Sequence, residues 1–161
     1  MNFVPFPEQI FQDIIYGING KLIKNMKIFI CTSKHNYGYV DKIKKELEEM
    51  GHVITAPNSY DNPMKEEEIK ERGTEEHRVW KSKIIKLQKE KVGANDCILV
   101  LNFEKNGQVN YIGGATFLEI FIAFDSQKEV YLYNPIPEGN FKDELIGMGV
   151  KVINGNLNLI K

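Results

Sequence analysis

The sequence predicts an α/β domain over residues 26–161, a doubly wound five-stranded parallel sheet with helices on both faces. Three observations predict it. Short apolar runs alternate with longer amphipathic stretches from Met26 onward. One run, residues 96–101 (DCILVL), is apolar almost throughout, as expected of a parallel strand covered on both faces. The connections between runs are long enough for the right-handed crossovers that parallel strands require.

Taken in order, residues 27–31 (KIFIC) read as a buried strand. Residues 39–50 (YVDKIKKELEEM) read as a helix with Val40, Ile43, Leu47 and Met50 inward and Gly51 as its stop. A short strand at 52–56 (HVITA) ends at Pro57. The acidic stretch 62–76 contains Pro63 and Gly73 and is expected to be a solvated loop or marginal helix. Residues 75–91 form a firmer helix with Val79, Trp80, Ile84 and Leu87 along one side. The run at 96–101 belongs mid-sheet. A glycine-bearing loop (NFEKNGQVNYIGG) then leads to a helix at 115–124, a fourth strand at 129–133 (EVYLY), a short helix at 141–148 and a fifth strand at 150–153. Such a succession implies the flavodoxin-like strand order 2-1-3-4-5.

Ahead of this pattern, residues 7–18 (PEQIFQDIIYGI) place Ile10, Phe11, Ile14, Ile15 and Ile18 at helical spacing, with Asn19-Gly20 as a stop. Residues 1–25 are therefore expected to be an amphipathic helical extension, packed on the domain or on a partner chain. The same segment does not read as a signal peptide, because Pro5, Pro7, Glu8, Gln9 and Asp13 interrupt it.

With 161 residues, 42% hydrophobic and 27% charged, the chain suits one globular domain, and a formal charge of -1 gives no general attraction for nucleic-acid polymers or anionic membranes. No run approaches the roughly 18 to 20 apolar residues of a membrane span. Cys31 and Cys97 each fall in a β-like apolar run, where a thiol behaves as a small hydrophobe, so a reducing, cytoplasmic setting without a disulfide is expected.

In a doubly wound sheet, ligands bind outside the carboxyl ends of the strands. That rule selects Thr32, Ser33, Lys34 and His35 after strand one, Asn58 and Ser59 after strand two, residues 102–114 after strand three, and Asn134 after strand four. Asp96 sits at the opposite end of its strand and reads as structural, as does His52 in a strand start.

Glu119 stands out as the only charge in residues 112–124 (IGGATFLEIFIAF). A helix apolar all round is expected to be buried, and an ionisable carboxylate kept there loses hydration unless it is bonded or opens onto a cleft. A local alternative exists: Thr116-x-x-Glu119 matches a capping box. Gly113-Gly114 before it suits either a tight turn or a close backbone approach to a ligand at a helix amino terminus. No dinucleotide fingerprint, P-loop, nucleophile elbow or zinc-ligand spacing is present, so neither cofactor nor metal is expected.

The strand KIFIC with its polar loop, the segment HRVWKSKIIKL, the strand ANDCILVLN, the run GGATFLEIFIAF and the strand end YNPIP together resemble the nucleoside 2-deoxyribosyltransferases and their nucleotide N-hydrolase relatives. The specific part is the block x-x-E-[IVLM]-G-x-A, in which Glu119 matches the family nucleophile and Ala123 its small residue. Phe121 stands where glycine is usual, and Gly113 where many relatives carry an aspartate.

The resemblance implies that Glu119 attacks C1′ of a 2-deoxyribose, expels the base and passes the sugar to another base. Two alternatives are hydrolysis of a nucleoside 5′-monophosphate, with Gly113-Gly114 and Lys34 or Lys105 receiving the phosphate, and non-catalytic nucleotide sensing. Thr32, Ser33, His35, Asn102, Gly113, Gly114, Thr116 and Asn134 are the expected substrate contacts. For protonating the departing base, Asn102, Glu104 and Asn134 are in reach, and Glu104 alone could act as an acid. The partner is a small nucleoside or nucleotide, and a homodimer or higher homo-oligomer is implied.

Overall fold

The structure, a computed structural model, describes residues 14–16 and 22–161. Its first elements correct the expected helical extension. Ile14–Tyr16 (β1) pairs antiparallel with Leu22–Lys24 (β2), in the register Ile14 to Lys24 and Tyr16 to Leu22. β-Branched and aromatic residues favour strands, and Asn19-Gly20, taken above as a helix stop, is equally the commonest hairpin dipeptide. The rest of the expected helix, residues 7–13 and 17–18, lies outside the described residues.

The central sheet contains Lys27–Cys31 (β3), Val53–Thr55 (β4), Cys97–Val100 (β5), Glu129–Leu132 (β6) and Lys151–Val152 (β7). All neighbours are parallel and the order is β4-β3-β5-β6-β7. In sequence order this is the 2-1-3-4-5 arrangement of a flavodoxin-like fold, with the apolar β5 mid-sheet as expected. Strand alternation sorts the core into two layers. Ile28, Ile30, Leu99 and Tyr131 meet Val40, Ile43 and Leu47 of Val40–Glu49 (α1) and the carboxyl-terminal turn Leu157–Leu159. Phe29, Cys31, Ile98, Val100 and Leu132 face the other way, onto Val92, Ile120, Ala123 and Leu145. Each fully buried aliphatic side chain here contributes about 1.5–3 kcal/mol relative to exposure.

That second layer is built from Thr74–Ala94 (α3), Gly114–Asp125 (α4) and Lys142–Gly147 (α5), with Lys65–Arg72 (α2) packed against α3. The acidic stretch forms a definite helix. Glu66, Glu67 and Glu68 occupy the first turn of α2 and Lys70 and Arg72 its last, each matched to the helix dipole, and Gly73 breaks the chain at φ 142° before α3 begins.

Two expected faces are rotated. On α3, Val79 and Leu87 are 40% and 39% exposed, while Gln88 and Val92 are buried. The inward stripe therefore runs Trp80, Ile84, Gln88, Val92 at four-residue spacing. On α4, Glu119, Ile120 and Ala123 are buried, but Leu118, Phe121 and Phe124 are 40–49% exposed. This helix is apolar all round without being buried all round. Among the described residues, no helix is long and apolar enough to cross a membrane.

Asp96 and His52 take structural positions. Asp96 accepts the Lys27 N–H at 2.7 Å, tying the amino ends of β3 and β5, and His52 Nδ1 accepts the Met26 N–H at 3.2 Å. Cys31 and Cys97 are buried free thiols.

Candidate active site

The amino end of α4 governs the site. Gly113, extended at φ -85° and ψ 167°, is its N-cap residue, and Phe117 N–H closes the first turn on Gly113 O at 2.8 Å. The preceding N–H groups, of Gly114, Ala115 and Thr116, have no intrahelical acceptor, as at every helix start. The capping-box alternative for Glu119 is thereby corrected: Thr116 lies inside the helix, no side chain caps it, and Glu119 is too far along to reach back.

Glu119 instead lines a cavity of about 280 Å³ at the carboxyl ends of β3 and β4. It is 5% exposed, the one buried carboxylate among the described residues. Burial pushes its carboxyl up to about 7, although the Gln88 amide bonds to it and the neighbouring Cys31 thiol and Lys91 ammonium act on it, all favouring the ionised form. Gln88 Nε2 donates to Glu119 Oε1 at 3.1 Å. Across the shared contact, burial and the Glu119 charge raise the Cys31 thiol well above its ordinary range, so it stays a neutral donor.

The opposite wall comes from α2, α3 and the 3-10 turn Lys34–Tyr39. Glu66 accepts from Lys81 at 2.8 Å and His77 at 3.1 Å. Burial alone would raise its carboxyl, but these bonds and the charges of Lys81 and Lys70 outweigh it and hold it at about 2. Glu66 is thus a fixed anion, not a proton donor. Tyr37 donates to Asn58 O at 2.6 Å, and burial with the negative charge of Glu119 and Glu66 pushes its hydroxyl up to about 12. Trp80 and Ile84 add flat apolar surface, and Asn58 brings an amide whose oxygen and nitrogen are both buried without partners among the described residues. Lys34 is ion-paired with Glu67. Lys105, over the Tyr111 ring at 4.5 Å, makes no ion pair among the described residues.

Of the residues expected from the sequence, Thr32, Ser33, Gly113, Gly114, Thr116 and Glu119 meet around this cavity. A Cβ on Gly113 would come within 2.9 Å of the Tyr111 hydroxyl, whereas one on Gly114 would meet nothing within 4 Å. A side chain at Gly113 would therefore require the Tyr111 ring to move, whereas Gly114 leaves open space at the helix start. The Thr32 hydroxyl is spent on Leu101 O at 2.8 Å, so Thr32 shapes the wall without a free donor.

Three expected contacts do not join them. His35 is exposed and outside the cavity lining. Asn102 is fully buried, donating to Asn134 O and Pro135 O at 3.1 and 3.0 Å and accepting the Asn134 N–H at 2.8 Å, while Asn134 Nδ2 returns to Asn102 O at 3.2 Å. This reciprocal pair clamps the ends of β5 and β6, and neither asparagine lines the cavity. Glu104 accepts the Gly107 N–H within its own loop and does not line the cavity.

The contributors that strand-end reasoning missed include Tyr37, Glu66, Trp80, Lys81, Ile84 and Gln88, whereas Tyr111 falls in the selected loop 102–114. Gln88 shares a four-residue stripe with Ile84 and Val92, a pattern that becomes informative only once that stripe is known to face inward. No family model matches the chain, and no curated protein or solved structure matches it.

Proposed function

We propose that the protein cleaves the N-glycosidic bond of a nucleoside or nucleotide, with Glu119 as nucleophile, in a cytoplasmic setting. The observation that carries this reading is a buried carboxylate on a cavity wall, held by a neutral amide and, among the described residues, not neutralised by a direct cation contact. A carboxylate so held keeps its nucleophilicity once ionised, because no ion pair consumes its charge.

In the proposed step a Glu119 oxygen attacks C1′ as the C1′–N bond breaks, and the base leaves with the bonding pair through an oxocarbenium-like transition state. The product is a glycosyl ester on Glu119. A second base, or water, then attacks C1′ from the opposite face, regenerating the carboxylate. Trp80 and Ile84 offer a flat apolar wall for a base, and the paired Glu66 and Lys81 offer an acceptor and a donor beside it. Transfer to a second base, with 2-deoxyribose as the sugar, is what the sequence resemblance implies.

Hydrolysis of a nucleoside 5′-monophosphate is a second reading, favoured by one feature. Among the described residues Lys105 has no carboxylate partner, and it shares the cavity lining with the unpartnered amino end of α4, which suits a phosphate. Product analysis separates the two. Deoxynucleoside plus free base yielding a new nucleoside supports transfer, whereas base and sugar phosphate released from nucleotides alone supports hydrolysis. Tight nucleotide binding without turnover of any substrate would sink both in favour of a sensor.

A further inference from the structure

We propose that Gln88 reads the sugar, its side-chain carbonyl accepting a hydrogen bond from the 2′-hydroxyl of a riboside bound with C1′ against Glu119. The inference rests on Glu119 being the group that meets C1′, and it points to a different sugar from the one the sequence resemblance implies.

Gln88 is 3% exposed and belongs to the cavity lining. Its two amide ends are in unequal condition. Nε2 donates to Glu119 Oε1 at 3.1 Å, whereas Oε1 is buried with no hydrogen-bond partner among the described residues. A buried acceptor left unpaired is uncommon and unfavourable. With Glu119 ionised, as nucleophilic attack requires, reversing the amide is no remedy, since the carboxylate only accepts and would then face the carbonyl oxygen. In that ionised state the position lacks a donor, and none of the described residues supplies one.

A ligand can. The nitrogen and oxygen of one planar amide are neighbours, so a donor for Oε1 must sit close to the atom that Glu119 contacts. On a furanose whose C1′ faces Glu119, the nearest donor is a hydroxyl on the adjoining carbon, C2′. A 2′-deoxyribose carries only hydrogens there and leaves Oε1 unpaired. The terminal amide torsion is soft, so Gln88 can adjust toward the hydroxyl while retaining its bond to Glu119. Hydrogen bonds to the hydroxyl beside the reacting carbon strengthen as positive charge develops in retaining glycoside cleavage, so the contact also favours the transition state.

The experiment uses the full chain and two readouts. Calorimetry with carbocyclic nucleosides, which lack a cleavable glycosidic bond, compares a ribo compound with its 2′-deoxy counterpart of the same base; the ribo compound is expected to bind roughly tenfold tighter. Base release is then measured on matched ribo and 2′-deoxyribo substrates. Because 2′-deoxyribosides are intrinsically more labile, the ratio of kcat/KM values is read against Gln88→Met, which should shift it toward the deoxy substrate by roughly ten- to a hundredfold. That ratio is internal to one preparation and insensitive to the fraction folded.

Equal or weaker binding of the ribo compound to the wild-type chain overturns the inference, whether or not Gln88→Met folds. So does a kcat/KM ratio that Gln88→Met leaves unchanged. Failure of the Glu119 reading looks different: neither member of a cleavable pair releases base, and the 2′-hydroxyl assignment then falls with its parent.

Discussion

Gln88 Nε2 stands 3.1 Å from Glu119 Oε1, so the one buried carboxylate among the described residues is fastened by an uncharged group. Desolvation consequently dominates, and the carboxyl is pushed up to about 7. A nucleophile must be ionised, so base release is expected to rise with pH through a midpoint near 7. The kcat/KM profile checks this; an acid limb near 4.5, the ordinary carboxyl value, would show that Glu119 is not the titrating nucleophile. Stability should move the other way. The folded-state value lies above the unfolded one, so the native state binds the extra proton between pH 4.5 and 7, and stability falls as pH rises across that window, by about 3 kcal/mol in all.

Glu119→Gln separates chemistry from that penalty. Glutamine keeps the size and a carbonyl acceptor for the Gln88 amide but cannot form a glycosyl ester under these conditions. Activity is expected to fall by at least about 10³-fold. Because the variant never ionises, it should gain about 2–3 kcal/mol relative to wild type on going from pH 5 to pH 8. Denaturant titrations at the two pH values test this, and an identical stability difference at both would contradict the burial argument.

Much of this was legible in the residues. The strand order followed from apolar runs of strand length separated by crossover-length segments, because both faces of a parallel sheet must be covered. Glu119 was legible as a lone charge in an apolar helix. Gln88 was not, because α3 carries apolar residues around much of its circumference, and Val79 and Leu87 compete with Gln88 and Val92 for the inward stripe. Which stripe wins depends on how α3 sits against α4, a tertiary fact. The strand-end rule selected Asn102 and Asn134 by position, but it cannot tell whether two amides at adjacent strand ends will satisfy each other. Residues 14–16 were misread because Ile14, Ile15 and Tyr16 suit either period, and the pairing partner at Leu22–Lys24 decides.

The Asn102 clamp yields a prediction of opposite character. Asn102→Ala removes a fully buried side chain and leaves the Asn134 N–H and two carbonyls without it. A loss of about 2–4 kcal/mol is expected. Activity per folded molecule should change little, since neither asparagine lines the cavity. His35→Ala, at an exposed position, should alter neither quantity. A large rise in KM in folded Asn102→Ala would restore Asn102 as a substrate contact.

The exposed side of α4 carries the last expectation, self-association. Leu118, Phe121 and Phe124 follow one another at three-residue steps and are 40–49% exposed, and the helix carries only Glu119 and Asp125 as charges. Phe121 therefore projects outward instead of crowding Glu119. Three large apolar side chains on one exposed helix face form the kind of patch that marks a protein contact, and an isologous dimer covers such a patch with its own copy. A stable interface of this type buries about 800 Å² per partner, more than one helix face supplies, so neighbouring residues must join it. Sedimentation at micromolar concentration is expected to show a dimer or larger assembly for the wild-type chain. Phe121→Lys should shift it toward monomer while leaving the fold intact, because the side chain makes no buried contact in the single chain that lysine could not tolerate. A monomeric wild type, or a Phe121→Lys variant that associates as strongly as before, would exclude this face as the interface.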